Sequence, residues 1–151
     1  MNLGFYVHNT SQSDLNSQIF SLLNDSVKDG DVEDATLFYN EIDYNPSLDT
    51  KKFGLFNSTD MWSFHGKLVV TSLGLLSLAS KVVNKIELIH LYTKDNFEYG
   101  NTGAVLSLIN SSLGDVKTVA KTEEDAAEYR RMTGKDIEVL KAFNAKEFLE
   151  V

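Results

Sequence analysis

Short apolar runs alternate along this chain with longer segments in which apolar residues recur at helical spacing. The clearest run, Ile86 to Tyr92, is bounded by polar residues and predicts a buried strand. Similar runs predict further strands, so that the full set covers residues 3–7, 35–42, 53–56, 67–71, 86–92, 116–120 and 137–140.

The segments between these strands predict helices. Leu15, Ile19, Leu22, Leu23 and Val27 share one helical face, and Asp29-Gly30 ends that helix. Thr122 followed by Glu123-Glu124-Asp125 is typical of a helix start, and Gly134 of a helix end. Other helices are predicted over residues 73–83 and 103–113, with a helical turn over 145–149 and a loop over 57–66.

Strands that alternate with helices of this length predict right-handed crossovers and parallel pairing. The predicted fold class is therefore α/β. We expect a single Rossmann-like three-layer domain over residues 1–151, with a mostly parallel sheet of about six to seven strands.

Composition narrows the range of possible functions and cellular locations. The chain has no cysteine, which excludes disulfides and thiolate chemistry. Its start has no basic, apolar signal segment, and its longest apolar run is too polar to span a bilayer. We expect a cytoplasmic protein without a membrane partner. If the protein is phage-encoded, that location is the host cytoplasm or the virion.

Negative charge is concentrated in the first third of the chain. Residues 1–50 hold nine acids and one base, whereas residues 51–151 hold thirteen of each. This balance argues against nucleic acid as a partner, because phosphate binding needs clustered lysine and arginine. An acidic solvated surface explains it, and docking of a basic protein partner is the alternative.

Candidate binding residues follow the strands, because an open parallel sheet binds ligands beyond its carboxyl ends. The predicted site comprises His8, Asn9, Thr10, Asp60, Trp62, His65, Thr71, Ser72, Lys94 and Thr122, with Asp95 and Lys121 beside them. Helix capping is the simpler explanation of the same polar residues, because helices start at this edge in any such domain.

Three histidines raise the possibility of metal binding or base catalysis. They lack the spacing and thiolate support of a metal site, so we expect no metal. His8 and His65 could converge as a general base, whereas His90 fits a hydrogen-bonded core position. Phosphate-binding motifs are absent: Val7-His8-Asn9-Thr10 replaces a glycine-rich loop, so we expect no cofactor.

The later part of the chain resembles a known family. Strand 116–120 leads through Lys121-Thr122 into a helix, and strand 137–140 runs into Lys141-Ala142-Phe143-Asn144-Ala145-Lys146-Glu147-Phe148. This order is similar to the end of the N-terminal Rossmann-like half of GT-B glycosyltransferases, which carries an Asn-Gly-x-Asp-x-x-x-Phe segment. Asn144 and Phe148 match, whereas Ala145 replaces the glycine. The resemblance covers roughly residues 65–151, and similar short proteins occur in large contractile-tailed bacteriophages.

The resemblance implies a half-domain without the donor-binding half of these enzymes, so no catalytic residue is carried over. We expect a non-catalytic binding or structural module that acts with a protein partner or as a homo-oligomer, as in a phage particle. The alternative is an enzyme subunit that contributes an acceptor site to another chain. A small-molecule binder is the third hypothesis.

Overall fold

The structure, a computed structural model, describes residues 1–82, 86–96 and 116–151. The strands of these residues form one sheet in the order β3-β2-β1-β4-β5-β6-β7, and each neighbouring pair is parallel. The bounds are β1 Leu3–Asn9, β2 Ala35–Glu41, β3 Gly54–Asn57, β4 Gly66–Val70, β5 Ile86–Tyr92, β6 Lys117–Ala120 and β7 Glu138–Val139. The predicted Rossmann-like α/β class is therefore confirmed.

Helices cover both faces of this sheet. The described α-helices are α1 Asp14–Asp29, α2 Leu73–Ala79, α3 Glu123–Thr133 and α4 Ala145–Glu150, and the short 3₁₀ helices are η1 Pro46–Thr50, η2 Ser58–Ser63 and η3 Lys94–Asn96. The predicted caps are confirmed. Gly30 ends α1 and Gly134 ends α3, both in the left-handed region, and the Thr122 side chain caps α3.

For each strand, the predicted bounds differ from the observed bounds by no more than two residues. The predicted loop over 57–66 contains η2, which begins where the Asn57 side chain accepts the Thr59 amide. The helix predicted from Leu73 ends at Ala79, and the helix predicted over 103–113 lies outside the described residues. Within the described ranges, no helix has the length and apolar character needed to cross a membrane.

Strand β1 is the centre of the packing, because it buries side chains on both faces of the sheet. Leu3, Phe5 and Val7 face α1 and α4, where the Phe148 ring lies 5.2 Å from Phe5 in an edge-to-face arrangement. Tyr6 points to the opposite face, among side chains from η2 and α2. Parallel sheets require such double coverage, and α1 and α2 supply it on opposite sides.

The connection from β3 to β4 crosses the face of the sheet that α2 covers, and it packs against Gly4 of β1. A Cβ atom at Gly4 would lie 3.0 Å from Cζ of Phe64, the aromatic side chain just before β4. Gly4 therefore leaves the space that Phe64 occupies. After this crossing, β4 pairs with β1 in parallel.

Lys67 joins β4 to the end of α4. Its side chain is buried, and Nζ donates to the backbone oxygens of Leu149 at 2.6 Å and Val151 at 2.8 Å. Glu87 on the neighbouring strand lies 3.9 Å from the same ammonium group. Carbonyl groups at a helix end lack intrahelical partners, so this cation satisfies them and interacts favourably with the negative end of the helix dipole.

Replacing Gly66 with alanine tests the close approach at the amino end of β4. Gly66 has φ 129°, and an added Cβ would lie 2.4 Å from the carbonyl oxygen of Asn2. We expect Gly66→Ala to lower the free energy of unfolding by about 3 kcal/mol, since both strain and collision oppose it. Urea denaturation measures this loss.

Gly74→Ala is the matched control. Gly74 lies in the first turn of α2, and an added Cβ there meets nothing within 4 Å. Because alanine has the higher helix propensity, we expect its stability to be unchanged or raised by up to about 1 kcal/mol. A loss below about 1 kcal/mol in Gly66→Ala would contradict the packing described here.

Candidate functional site

An open cleft lies where the connections after β1 and β4 diverge. The chain leaves β1 through α1 on one face of the sheet and leaves β4 through α2 on the other, although the two strands are neighbours. The cleft has a volume of about 1120 Å³ and runs along the carboxyl edge. This is the switch point at which open α/β sheets bind ligands.

Six of the ten predicted site residues line this cleft. They are His8, Asn9, Thr71, Ser72, Lys94 and Thr122, joined by the neighbouring Asp95 and Lys121. Parallel pairing brings them together, because it places the carboxyl ends of β1, β4, β5 and β6 along one edge.

Two of these hydroxyl groups also cap the amino ends of helices, and a third binds a strand carbonyl. Ser72 Oγ accepts the Leu75 amide at 3.4 Å, and Thr122 Oγ1 accepts the Asp125 amide at 3.1 Å. Thr71 Oγ1 donates to the Tyr6 carbonyl at 3.1 Å. The capping explanation is therefore confirmed for Ser72 and Thr122, and it coexists with their place in the cleft.

The other four predicted residues do not line the cleft. Thr10 is buried, and its hydroxyl both donates to the Asp43 carbonyl at 2.7 Å and accepts the Asp43 amide at 2.8 Å. Asp60 and Trp62 lie in η2, on the return path from β3 to β4, and the Trp62 side chain is 52% exposed.

His8 and His65 do not converge, contrary to the prediction. His65 directly precedes Gly66, the first residue of β4, whereas His8 lies near the end of β1. The two histidines therefore occupy opposite edges of the sheet. A connection between parallel strands starts at the carboxyl edge but must finish at the amino edge.

The loop between β1 and α1 is filled by its own side chains. Asn9 Oδ1 accepts the Ser11 amide at 3.1 Å, and Asn16 Nδ2 donates to the carbonyls of Asn9 at 3.1 Å and Ser11 at 2.8 Å. From the other side, Asn45 Nδ2 donates to the Thr10 carbonyl at 3.0 Å. These bonds fix the loop without a bound ligand.

Carboxylates outnumber ammonium groups in the described lining of the cleft. The carboxylates are those of Asp14, Asp95, Glu124 and Asp125, and the ammonium groups are those of Lys94 and Lys121. Both lysines are engaged: Lys94 pairs with Glu124, and Lys121 Nζ lies 5.6 Å from the centre of the Phe143 ring. The cleft is therefore acidic.

Three carboxylates, those of Glu124, Asp95 and Asp125, surround Lys94. Its hydrogen bond to Glu124, together with Coulomb attraction from Glu124, Asp95 and Asp125, raises the pKa of Lys94. Its backbone amide donates to Asp125 Oδ1 at 3.0 Å, which fixes the end of β5 against the start of α3. The side chain thus remains a cation held within carboxylates.

Sequence reasoning missed Asp14, Asn16 and Thr93. Asn16 could have been found, since it shares a helical face with buried Ile19 and Leu23 and so had to be a buried amide. Thr93 gave no such signal. It becomes recognisable only in the structure, where its buried Oγ1 has no hydrogen-bond partner among the described residues.

His90 is a core residue, as predicted, but not a hydrogen-bonded one at Nδ1. This atom has no partner in the described part of the chain, and burial lowers the pKa of His90 to about 4. The side chain shares a face of the sheet with Val70 and Thr118, its neighbours in register. Among residues 1–82, 86–96 and 116–151, no three potential ligands converge as a metal site.

The chain shows no match to known proteins by which a family could be assigned. No protein-family model matches the chain, and neither a curated protein nor a solved structure does.

Protonation of His90 should make the stability depend on pH. The neutral form is favoured in the folded state, so His90 contributes stability that is present above pH 6.5 and lost as the pH falls towards 4. The loss should reach about 3 kcal/mol at full protonation. Urea denaturation across this range measures it.

The variant His90→Leu should remove this component, because it has no group to protonate. His65→Leu is the control, since His65 is exposed at the amino edge, and it should keep the wild-type dependence. Equal pH dependence in wild type and His90→Leu would show that other groups account for the effect.

Proposed function

We propose that this chain is a non-catalytic binding module whose ligand site is the carboxyl-edge cleft, and that it does not bind nucleotide sugars. One observation carries the proposal. Rossmann-like proteins bind the phosphates of a nucleotide at the connection between β1 and α1. In this chain that loop is held by hydrogen bonds from its own side chains to its backbone, and Asp14 follows it.

Phosphate binding at that position needs backbone amides that point at the ligand and a helix N-terminus open to an anion. Here Asn9 Oδ1 takes the Ser11 amide, and Ser13 Oγ takes the Asn16 amide at 3.1 Å. Asp14, in the first turn of α1, already complements the helix dipole with its carboxylate. A phosphate would therefore meet occupied donors and a like charge.

The remaining cleft does not compensate for this repulsion. Lys94 is paired with Glu124, and Asp95 adds further negative charge at the same wall. Both the loop and the wall thus disfavour a diphosphate. A polar ligand without phosphate groups, or a side chain of a partner protein, fits this cleft better.

A structural role with a protein partner, or as a homo-oligomer in an assembly such as a phage particle, remains part of the proposal. It rests on the resemblance of residues 65–151 to a glycosyltransferase half-domain, with Asn144 capping α4 within the matching segment. Side-chain capping by Asn144, which accepts the Glu147 amide at 3.0 Å, gives that residue a fold function independent of any substrate.

The alternative is an enzyme subunit, and the open side of the cleft favours it. In that case a second chain would supply the donor-binding half, and this cleft would hold the acceptor. Co-expression with any neighbouring gene that encodes such a half distinguishes the two: a complex that transfers sugar supports the alternative.

Calorimetric titration with a panel of UDP- and GDP-sugars tests the main proposal. We expect the isolated protein to hydrolyse none of them and to bind none more tightly than millimolar, because the phosphate position is closed by side chains and acidic. Asp14→Asn should leave this weak binding weak, since the loop donors stay occupied.

A glycosyltransferase known to bind the same panel serves as the positive control for the titration. Micromolar binding of any nucleotide sugar by the wild-type protein would contradict the non-catalytic proposal and favour the enzyme alternative.

A further inference from the structure

We propose that β3 is an association edge, at which a second copy of this chain pairs antiparallel with β3 about a two-fold axis and extends the sheet. This inference rests on the homo-oligomer named in the proposed function, and it assigns the surface that forms that assembly. Three features support it: the open outer side of β3, the exposed aromatic rings beside it, and the opposite charges at its two ends.

Strand β3 leaves one side of its backbone available for pairing. It lies at one end of the sheet order, and within the described residues it pairs with β2 alone. An edge strand presents backbone N–H and C=O groups without partners. Proteins usually protect such edges with charged side chains, proline or a very short strand. The sequence of β3, Gly-Leu-Phe-Asn over Gly54–Asn57, contains neither charge nor proline.

The opposite edge of the sheet, β7, is protected in these ways. β7 has only two residues, and the carboxylate of Glu138 is exposed 3.6 Å from Lys117 Nζ on β6. Two residues offer few backbone groups to another strand, and the charges beside them would have to lose water. Of the two edges, β3 is therefore the one that can accept a strand.

The chain on either side of β3 anchors the strand. Before it, the buried Phe53 ring lies 5.8 Å from the ring of Phe20 in α1, and the Lys52 amide donates to Asn24 Oδ1 at 2.7 Å. After it, the Asn57 side chain caps η2. Because the edge is already ordered, association costs little further backbone entropy.

Two aromatic side chains beside β3 remain about half exposed. Phe56 is 47% exposed, although its ring packs against Phe38 of β2 with the ring centroids 6.4 Å apart. Trp62 belongs to η2, which lies against β2 and β3, and it is 52% exposed. A second copy placed at β3 would remove part of this apolar surface from water, in addition to forming backbone hydrogen bonds.

Charges at the two ends of β3 make a second copy the matching occupant. Lys51 and Lys52 precede the strand, Asp60 follows it, and all three are exposed. A two-fold axis perpendicular to the sheet reverses the strand direction and keeps each face on its own side. Centred on Phe56, it places Phe56 opposite the same residue of the second copy. It also places Lys52 opposite Asp60 at both ends of the pairing.

Sedimentation equilibrium of the wild-type protein tests the association. We expect a monomer–dimer equilibrium with a Kd on the order of 10–100 μM, because so short an edge buries less surface than a standard interface. Hydrogen–deuterium exchange locates the contact. The amides of residues 54–57 should exchange more slowly at high protein concentration than at low concentration, whereas those of β7 should not change.

Phe56→Lys tests the centre of the pairing. It removes the aromatic contact and places two ammonium groups opposite each other, so we expect the dimer to weaken by at least about tenfold. Circular dichroism and thermal unfolding show whether the variant is folded. The charge variants that follow alter exposed side chains alone, and they test the pairing even if Phe56→Lys lowers the stability.

Lys52→Glu and Asp60→Lys test the register. Each variant puts like charges opposite each other at both ends of the pairing, so each should weaken self-association by about tenfold. Mixing the two variants restores opposite charges at both ends. The mixture should therefore form a heterodimer with about the wild-type affinity.

Lys135→Glu is the matched control. Lys135 is exposed between α3 and β7, at the opposite edge of the sheet, and its reversal changes the net charge by the same amount as Lys52→Glu. It should leave self-association unchanged, and mixing it with Asp60→Lys should not restore a dimer.

A protein that stays monomeric up to about 1 mM would overturn the inference and leave β3 to a strand of a different protein. A dimer that withstands both Phe56→Lys and charge reversal would overturn it as well, because its interface would lie elsewhere. Neither result bears on the cleft, since that part of the proposed function falls only with tight binding of a nucleotide sugar.

Discussion

Burial on both faces of β1 is the constraint on which the rest of this structure depends. A parallel strand in the middle of a sheet can be covered only by segments that cross back over the sheet, because its neighbours run in the same direction. Phe5 faces Phe148 on one side, and Tyr6 faces the cluster around η2 and α2 on the other. Both coverings are long-range contacts, so the strand holds the two halves of the chain together.

The cleft is a consequence of the same arrangement. Covering β1 on opposite faces requires α1 and α2 to leave its carboxyl edge in opposite directions, and the gap between them is the site. Gly4 lets the Phe64 ring pack closely on β1 as the chain crosses to β4. The position of the cleft is thus set by backbone topology, whereas its chemistry is set by the side chains at the edge.

Buried polar groups differ in their hydrogen bonding between the two edges of the sheet. At the amino edge, the Lys67 ammonium is satisfied by two backbone oxygens of the last helical segment. Nearer the carboxyl edge, Thr93 Oγ1 and His90 Nδ1 are buried without partners among the described residues. Satisfied groups stabilise a fold and unsatisfied ones oppose it, so the two edges differ in what their buried polar groups contribute to stability.

By itself the sequence determined the fold class, the strands to within two residues, and the ends of α1 and α3, because apolar periodicity and capping chemistry are local. Ser72, Thr122 and Gly134 needed only their neighbours to be recognised. Six of the ten predicted site residues line the cleft because they lie at or just after the carboxyl ends of strands.

The tertiary structure decided which polar residues share an edge and which are already engaged. His65 lies at the amino edge of the sheet because it directly precedes β4. The Thr10 hydroxyl is bound by the backbone of Asp43, which lies 33 residues away in the chain. That Thr93 Oγ1 has no hydrogen-bond partner in the described part of the chain likewise depends on what surrounds it. Such properties are set by distances between segments remote in the chain, which no local pattern contains.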